Sequence, residues 1–270
     1  MLGAIIGDMI GSVYEWHNIK TTDFPLFGPG CRPTDDSVMT IAVAEGLMQS
    51  YGKDDDAIRQ KVIDAMRFYG RRYPNAGYGG KFYGWIHTDD PKPYNSWGNG
   101  SAMRVSSVGW LFDDLSQVLQ MAALTAEVTH NHPEGIKGAK AIAAAVFMAR
   151  KGMGEAQIKT FIEEMFDYDL DTPLSLIRPG YAFDVSCQGS VPQAIRAFLE
   201  ADSYEQAVRL AVSLGGDSDT IACMAGAIAE AAFGIPKDIK REGMTHLDDF
   251  LTGRVKSFRS FYHSLQKNNK

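Results

Sequence analysis

Wherever the apolar residues of this chain repeat, they repeat at helical spacing. Ile58, Val62, Ala65, Met66 and Tyr69 recur at intervals of three and four with charged residues between them, the stripe of an amphipathic helix over 57–72. The Ala-rich run 136–149 has few polar residues after Lys140, which predicts a central helix packed on several sides. Ser203 with Gln206 three positions on reads as a capping box before 207–214, and Pro192 reads as a first-turn proline. No series of alternating strands bounded by hairpin turns is visible, and no repeat of fixed period. The expectation is therefore an all-α multi-helix bundle rather than an α/β fold. With 45% hydrophobic and 22% charged residues the chain is an ordinary globular composition, and nothing marks a place to cut it, so residues 1–270 are expected to form one domain.

Charge and cysteine usage exclude several classes of function. The formal net charge is -6, which offers no basic field to hold a phosphate backbone, so nucleic-acid binding is not expected. Cys31, Cys187 and Cys223 lie far apart and in no metal-ligand spacing, which argues against a disulfide framework or a zinc site and for a reducing, cytoplasmic setting. The apolar start at 1–6 lacks a basic leader region and soon meets Asp8 and Glu15. No apolar run approaches the roughly 20 residues that span a bilayer, so no membrane association is expected.

Two acidic clusters carry the chemistry. Thr34-Asp35-Asp36-Ser37 stands before the apolar run 38–47, and Asp217-Ser218-Asp219-Thr220 stands before 221–233, a helix that Gly234 and Pro236 would close. One reading makes each cluster an N-cap, since Ser, Thr and Asp side chains accept bonds from free N–H groups at the positive end of a helix. A cap needs one acceptor, however, and each cluster offers two carboxylates and a hydroxyl. Hard oxygen ligands grouped in this way suit Mg²⁺ or Mn²⁺, and two groups that faced each other would hold a pair of ions. Spacing alone leaves both readings open.

Three stretches break the helical pattern, about 17–34, 70–98 and 167–190, and loops of that length are usually functional or mobile. The glycine run 77–80 is a weak phosphate-loop signal, having no recognisable helix start after it. Tyr78, Phe82, Tyr83, Trp85 and Trp97 crowd the middle loop, where one could stack on a base while the rest pack.

At the acidic clusters the chain resembles the ADP-ribosylglycohydrolase family. The motifs Thr34-Asp35-Asp36-Ser37-Val38-Met39 and Gly215-Gly216-Asp217-Ser218-Asp219-Thr220 are similar to that family's two metal motifs. Further matches fall in order: residues 3–15, which end in Glu15, then Gly98-Asn99-Gly100-Ser101-Ala102-Met103-Arg104, then Thr129-His130-Asn131-His132. Together they run from about residue 2 to 236.

The resemblance implies an orthogonal bundle of helices around a cleft with two divalent ions. Thr34, Asp35 and Asp36 match one ligand set, and Asp217, Asp219 and Thr220 the other. Glu15 matches a glutamate proposed in some members to activate water or protonate the leaving group, and Glu15 and Asp36 are the candidate catalytic carboxylates. Without the family, the preferred reading of Glu15 is a solvated loop carboxylate. Asp8 is read as structural, capping a backbone or supporting the metal ligands. Asn99, Gly100 and Ser101 resemble a phosphate loop, with an ordinary glycine turn as the other reading. His130 aligns with a histidine near the diphosphate, whereas His132 and Pro133 are expected to end a helix. The implied activity is metal-dependent release of ADP-ribose from a protein side chain or small conjugate. A non-catalytic ADP-ribose binder and a two-metal phosphoester hydrolase remain alternatives. The span from Glu15 to Asp35 is short for the family, and 70–98 carries no pattern that assigns the acceptor linkage.

Overall fold

The computed structural model describes residues 1–268. These form fifteen helices and no named strand; the one strand-like pairing joins Gly98 to Ser186. In chain order they begin with α1 (Leu2–Gly11), α2 (Asp35–Ser50), α3 (Asp55–Arg72), α4 (Gly80–His87) and α5 (Gly100–Met103). Then come α6 (Ser106–Leu111), α7 (Leu115–Glu127), α8 (Pro133–Arg150), α9 (Glu155–Phe166) and α10 (Leu174–Ile177). The last five are α11 (Cys187–Leu199), α12 (Tyr204–Val212), α13 (Ser218–Phe233), α14 (Lys237–Thr245) and α15 (Asp249–Asn268). The all-α expectation holds. No helix among the described residues is long and apolar enough to cross a membrane.

The architecture turns on α1 and α13. Every residue of α1 is buried, and its glycines recur every fourth position along the face turned to α13. A Cβ at Gly3 would fall 2.4 Å from the Gly226 carbonyl oxygen, one at Gly7 2.2 Å from that of Ala222, and one at Gly11 2.5 Å from that of Ser218. The two backbones therefore touch, and no larger residue fits at these three positions. This close approach lays the last turn of α1 against the first turn of α13, bringing Asp8 and Asp219 to one place. Asp8 also binds the first turn of α2, so three helices meet at one point.

Several local readings are corrected. His132 and Pro133 open α8 rather than close the preceding helix: His132 Nδ1 accepts from the Glu134 N–H at 3.1 Å, and α7 has already ended at Glu127. Pro192 lies inside α11, whose N-cap is Ser186, not in its first turn. Ser203 caps α12 by accepting from Gln206 N–H at 3.3 Å, but the Gln206 side chain accepts from Asp202 N–H, so only half of the capping box forms. The glycine run 77–80 does lead into a helix, α4, and the stretch 167–190 contains α10. Cys31, Cys187 and Cys223 are all free and buried.

Candidate active site and metal centre

The two acidic clusters face each other. Thr220 at the start of α13 donates its hydroxyl to Asp36 Oδ2 of α2 at 3.2 Å. Capping does not use up the carboxylates: Thr34 caps α2 by accepting from Asp36 N–H at 3.3 Å, and Asp217 at the N-cap of α13 makes no side-chain cap bond. Asp217 instead accepts from the Asn99 side-chain amide at 2.7 Å. Asp8 accepts from the N–H groups of Thr34 and Ser37, each at 3.0 Å, from the Thr34 hydroxyl at 2.6 Å and from the Ser37 hydroxyl. It thereby ties α1 to the first turn of α2.

Oxygen atoms of Asp8, Asp36 and Asp219 all lie within 4.8 Å of one another, as do oxygens of Glu15, Asp217 and Asp219, so Asp219 belongs to both trios. Three of the six matched residues of the two motifs, Asp36, Asp217 and Asp219, enter these trios as carboxylates. Asp35 faces the cleft outside both trios, with its own N–H bound to the Ala76 carbonyl at 2.9 Å. Thr34 does not line the cleft; its hydroxyl bridges Asp8 and, at 3.4 Å, Asp36. Asp8 joins the cluster although its sequence reading was structural, and both descriptions fit: four donors satisfy it while one edge still meets Asp36 and Asp219.

Electrostatically the cluster is a set of acids without a counter-cation. No Lys or Arg among the described residues forms an ion pair with any of these six carboxylates. Burial pushes Asp36 and Asp219 well above the usual carboxylate range, and repulsion from neighbouring acids adds to it. Burial, then repulsion from Asp8 and Asp217, raises Asp35 to about 8. Glu15 is raised by burial and by Asp217, with Trp16 and Arg32 opposing. Asp36 Oδ1 is buried with no hydrogen-bond partner. An orphaned buried carboxylate oxygen inside a crowd of acids is what a hard cation would satisfy, so the donor set fits divalent-ion binding.

Glu15, Asp35, Asp36, Asp217 and Asp219 line a cleft of about 440 Å³. Asn99, Gly100 and His130 line it as well. Ser101 does not: it is buried with its hydroxyl donating to the Gly135 carbonyl at 2.7 Å. Of the five middle-loop aromatics singled out in the sequence only Phe82 lines the cleft; Trp85 is core, while Tyr83 and Trp97 are exposed. The aromatic pair at the rim is Trp16 on Phe183, stacked with centroids 5.4 Å apart, and sequence reasoning missed it. It also left Tyr94, Lys81 and Arg104 without a role, although Arg104 ends a motif that was singled out.

The loop bearing Glu15 is fastened to the loop bearing Asp217. Asn18 donates to the carbonyls of Tyr14 and Glu15, each at 2.8 Å, and of Gly216 at 3.0 Å, and accepts from Gly216 N–H at 2.7 Å. Lys20 donates to the carbonyls of Tyr181 and Leu214. Gly215 and Gly216 adopt φ of 71° and 72°, the left-handed conformation that only glycine takes at little cost.

Comparison with known proteins places the chain that carries this helix-borne carboxylate centre within one family. The ADP-ribosylglycohydrolase family model matches residues 1–260, and the chain belongs to that family. It is 28% identical to ADP-ribosylhydrolase ARH3 of Gallus gallus over 314 aligned positions, covering 87% of this chain and 84% of the relative. Against ADP-ribosylhydrolase ARH3 of Homo sapiens it is 27% identical, with the same 87% and 84% coverage. Its fold is like that of a solved chain titled "ADP-ribosylglycohydrolase-related protein complex", with a TM-score of 0.70 at 23% identity over 97% of this chain and 95% of the other.

Proposed function

We propose that residues 1–270 act as one unit that hydrolyses the glycosidic bond between ADP-ribose and an acceptor, either a protein side chain or a small conjugate. The observation that carries this reading is the acid cluster without an ion pair, with its orphaned Asp36 oxygen in a residue that lines the cleft, in a chain of this family. Asp36, Asp217 and Asp219, with Asp35, Thr34 and Thr220, are the groups that would hold divalent ions, Asp8 supporting them, while Glu15 stands beside Asp217 and Asp219 as the proton carrier. Two ions, Mg²⁺ or Mn²⁺, would supply charge compensation and fix the ribose hydroxyls.

The chain's own groups carry the proton traffic. Glu15 is half-buried and raised above the ordinary carboxylate range, so it holds a proton more readily than a solvated glutamate and suits general acid catalysis. As the bond from the anomeric carbon to the acceptor breaks, the Glu15 proton passes to the departing atom. Water then forms the new bond at that carbon and returns a proton to the carboxylate, with Asp36 as the second candidate base. Asn99 holds Asp217 in place, and Gly100 with His130 leaves room for the diphosphate.

The test is incubation with arginine-, serine- and small-molecule-linked ADP-ribosyl substrates in Mg²⁺, Mn²⁺ or chelator, with free ADP-ribose quantified by mass spectrometry. Metal-dependent release that Asp219→Ala abolishes is the expected result. Binding of ADP-ribose without turnover would replace the enzyme by a binding protein, and release of phosphate would indicate a phosphoester hydrolase.

A further inference from the structure

Arg104 is 1% exposed and forms no ion pair with a carboxylate among the described residues. Its Nη2 donates to the Thr125 carbonyl at 3.2 Å and to the Thr129 hydroxyl at 2.8 Å, while its Nε has no partner. Arginine has only donors, so Thr129 Oγ1 must accept from it. The Thr129 hydroxyl also lies 2.7 Å from His130 Nδ1, and no other acceptor for the hydroxyl proton is found. That proton therefore goes to Nδ1. Burial, reinforced by the Arg104 charge, holds His130 well below the usual imidazole range, so the ring is neutral and Nδ1 has a lone pair to accept with.

A neutral imidazole that accepts at Nδ1 carries its hydrogen at Nε2. His130 Nε2 has no protein partner and faces the cleft wall at Gly98 and Gly100, where a Cβ would fall 3.6 Å and 3.2 Å from it. We infer that Arg104 and Thr129 are positioning residues that lock His130 in its Nε2–H form, so that it donates a hydrogen bond to an anionic oxygen of the substrate. In the proposed function that oxygen belongs to the diphosphate of the ADP-ribosyl group, and this half of the inference rests on that reading. The tautomer itself does not. A protonated or Nδ1–H ring would serve a different ligand equally well; the relay excludes both by giving Nδ1 a donor and placing a cation beside the ring.

The direct test is a long-range ¹H–¹⁵N correlation spectrum of the full chain, with His130→Gln identifying the His130 signals. Unprotonated Nδ1 and protonated Nε2 are expected; a protonated Nδ1 overturns the inference. Thr129→Val keeps the shape and removes the relay, and should shift the His130 signals toward the other tautomer. It should also weaken ADP-ribose binding in calorimetry about tenfold, with Mn²⁺ affinity unchanged and Thr129→Ser restoring both readouts. Unaltered signals and ADP-ribose affinity in Thr129→Val would refute the relay. If that variant does not fold, the wild-type spectrum decides alone. If the wild type binds no ADP-ribose, the proposed function and the ligand half of the inference fall together, whatever the tautomer.

Discussion

Single carboxylates in this centre favour ligand binding at the expense of the metal-free fold. Asp35 is held to about 8, and Asp36 and Asp219 well above the ordinary range, by burial first and like charge second. Each binds protons more tightly folded than unfolded. Between an unfolded pKa of about 4 and the raised folded value, the native state therefore carries more protons, and stability falls as pH rises through that window. In chelator, Tm should decline from about pH 4.5 to 8, and Mn²⁺ should raise Tm more at pH 8 than at pH 5. A flat metal-free profile would contradict the burial of these acids. The same reasoning predicts opposite effects of one substitution: Asp219→Asn should abolish turnover and yet stabilise the metal-free protein at pH 8 by about 1 kcal/mol, read by urea denaturation.

At the level of elements, the contact between α1 and α13 sets the geometry of the site. Gly7→Ala would drive a methyl into the Ala222 carbonyl, and should cost about 3 kcal/mol in denaturant while weakening Mn²⁺ binding, because Asp8 moves away from Asp36 and Asp219. Gly253→Ala, in exposed α15 with open space around it, should instead stabilise by about 0.5 kcal/mol. Helix α3 was legible in the sequence because its apolar period is local, and α8 because its alanine-rich composition is. The two acidic motifs were legible as groups because their redundancy exceeds what capping needs. Other features depend on partners far away in the chain. The glycine spacing in α1 does not say which backbone it meets, and nothing near Trp16 announces Phe183. A histidine before Pro133 can close one helix or open the next, and only the Glu134 N–H decides. Arg104 could be noted in its motif, but its want of a carboxylate is a fact of three dimensions.

Across the whole molecule, the centre draws on the first helix, the second and the thirteenth, so ion binding should be linked to unfolding of the entire chain. Calorimetry should show one transition that moves as a unit when Mn²⁺ is added, gaining about 2.7 kcal/mol at a hundred times Kd. Two transitions, of which only one responds to metal, would disprove a single cooperative unit. The fastening of the Glu15 loop has another bearing. Asn18 and Lys20 hold it mainly through main-chain carbonyls, and those groups are present whatever side chains the neighbouring positions carry. Phe183 can thus be exchanged without loosening the loop that carries the acid. A lineage, or a laboratory library randomised at that site, can reshape the mouth of the cleft while the backbone that carries Glu15 is inherited intact.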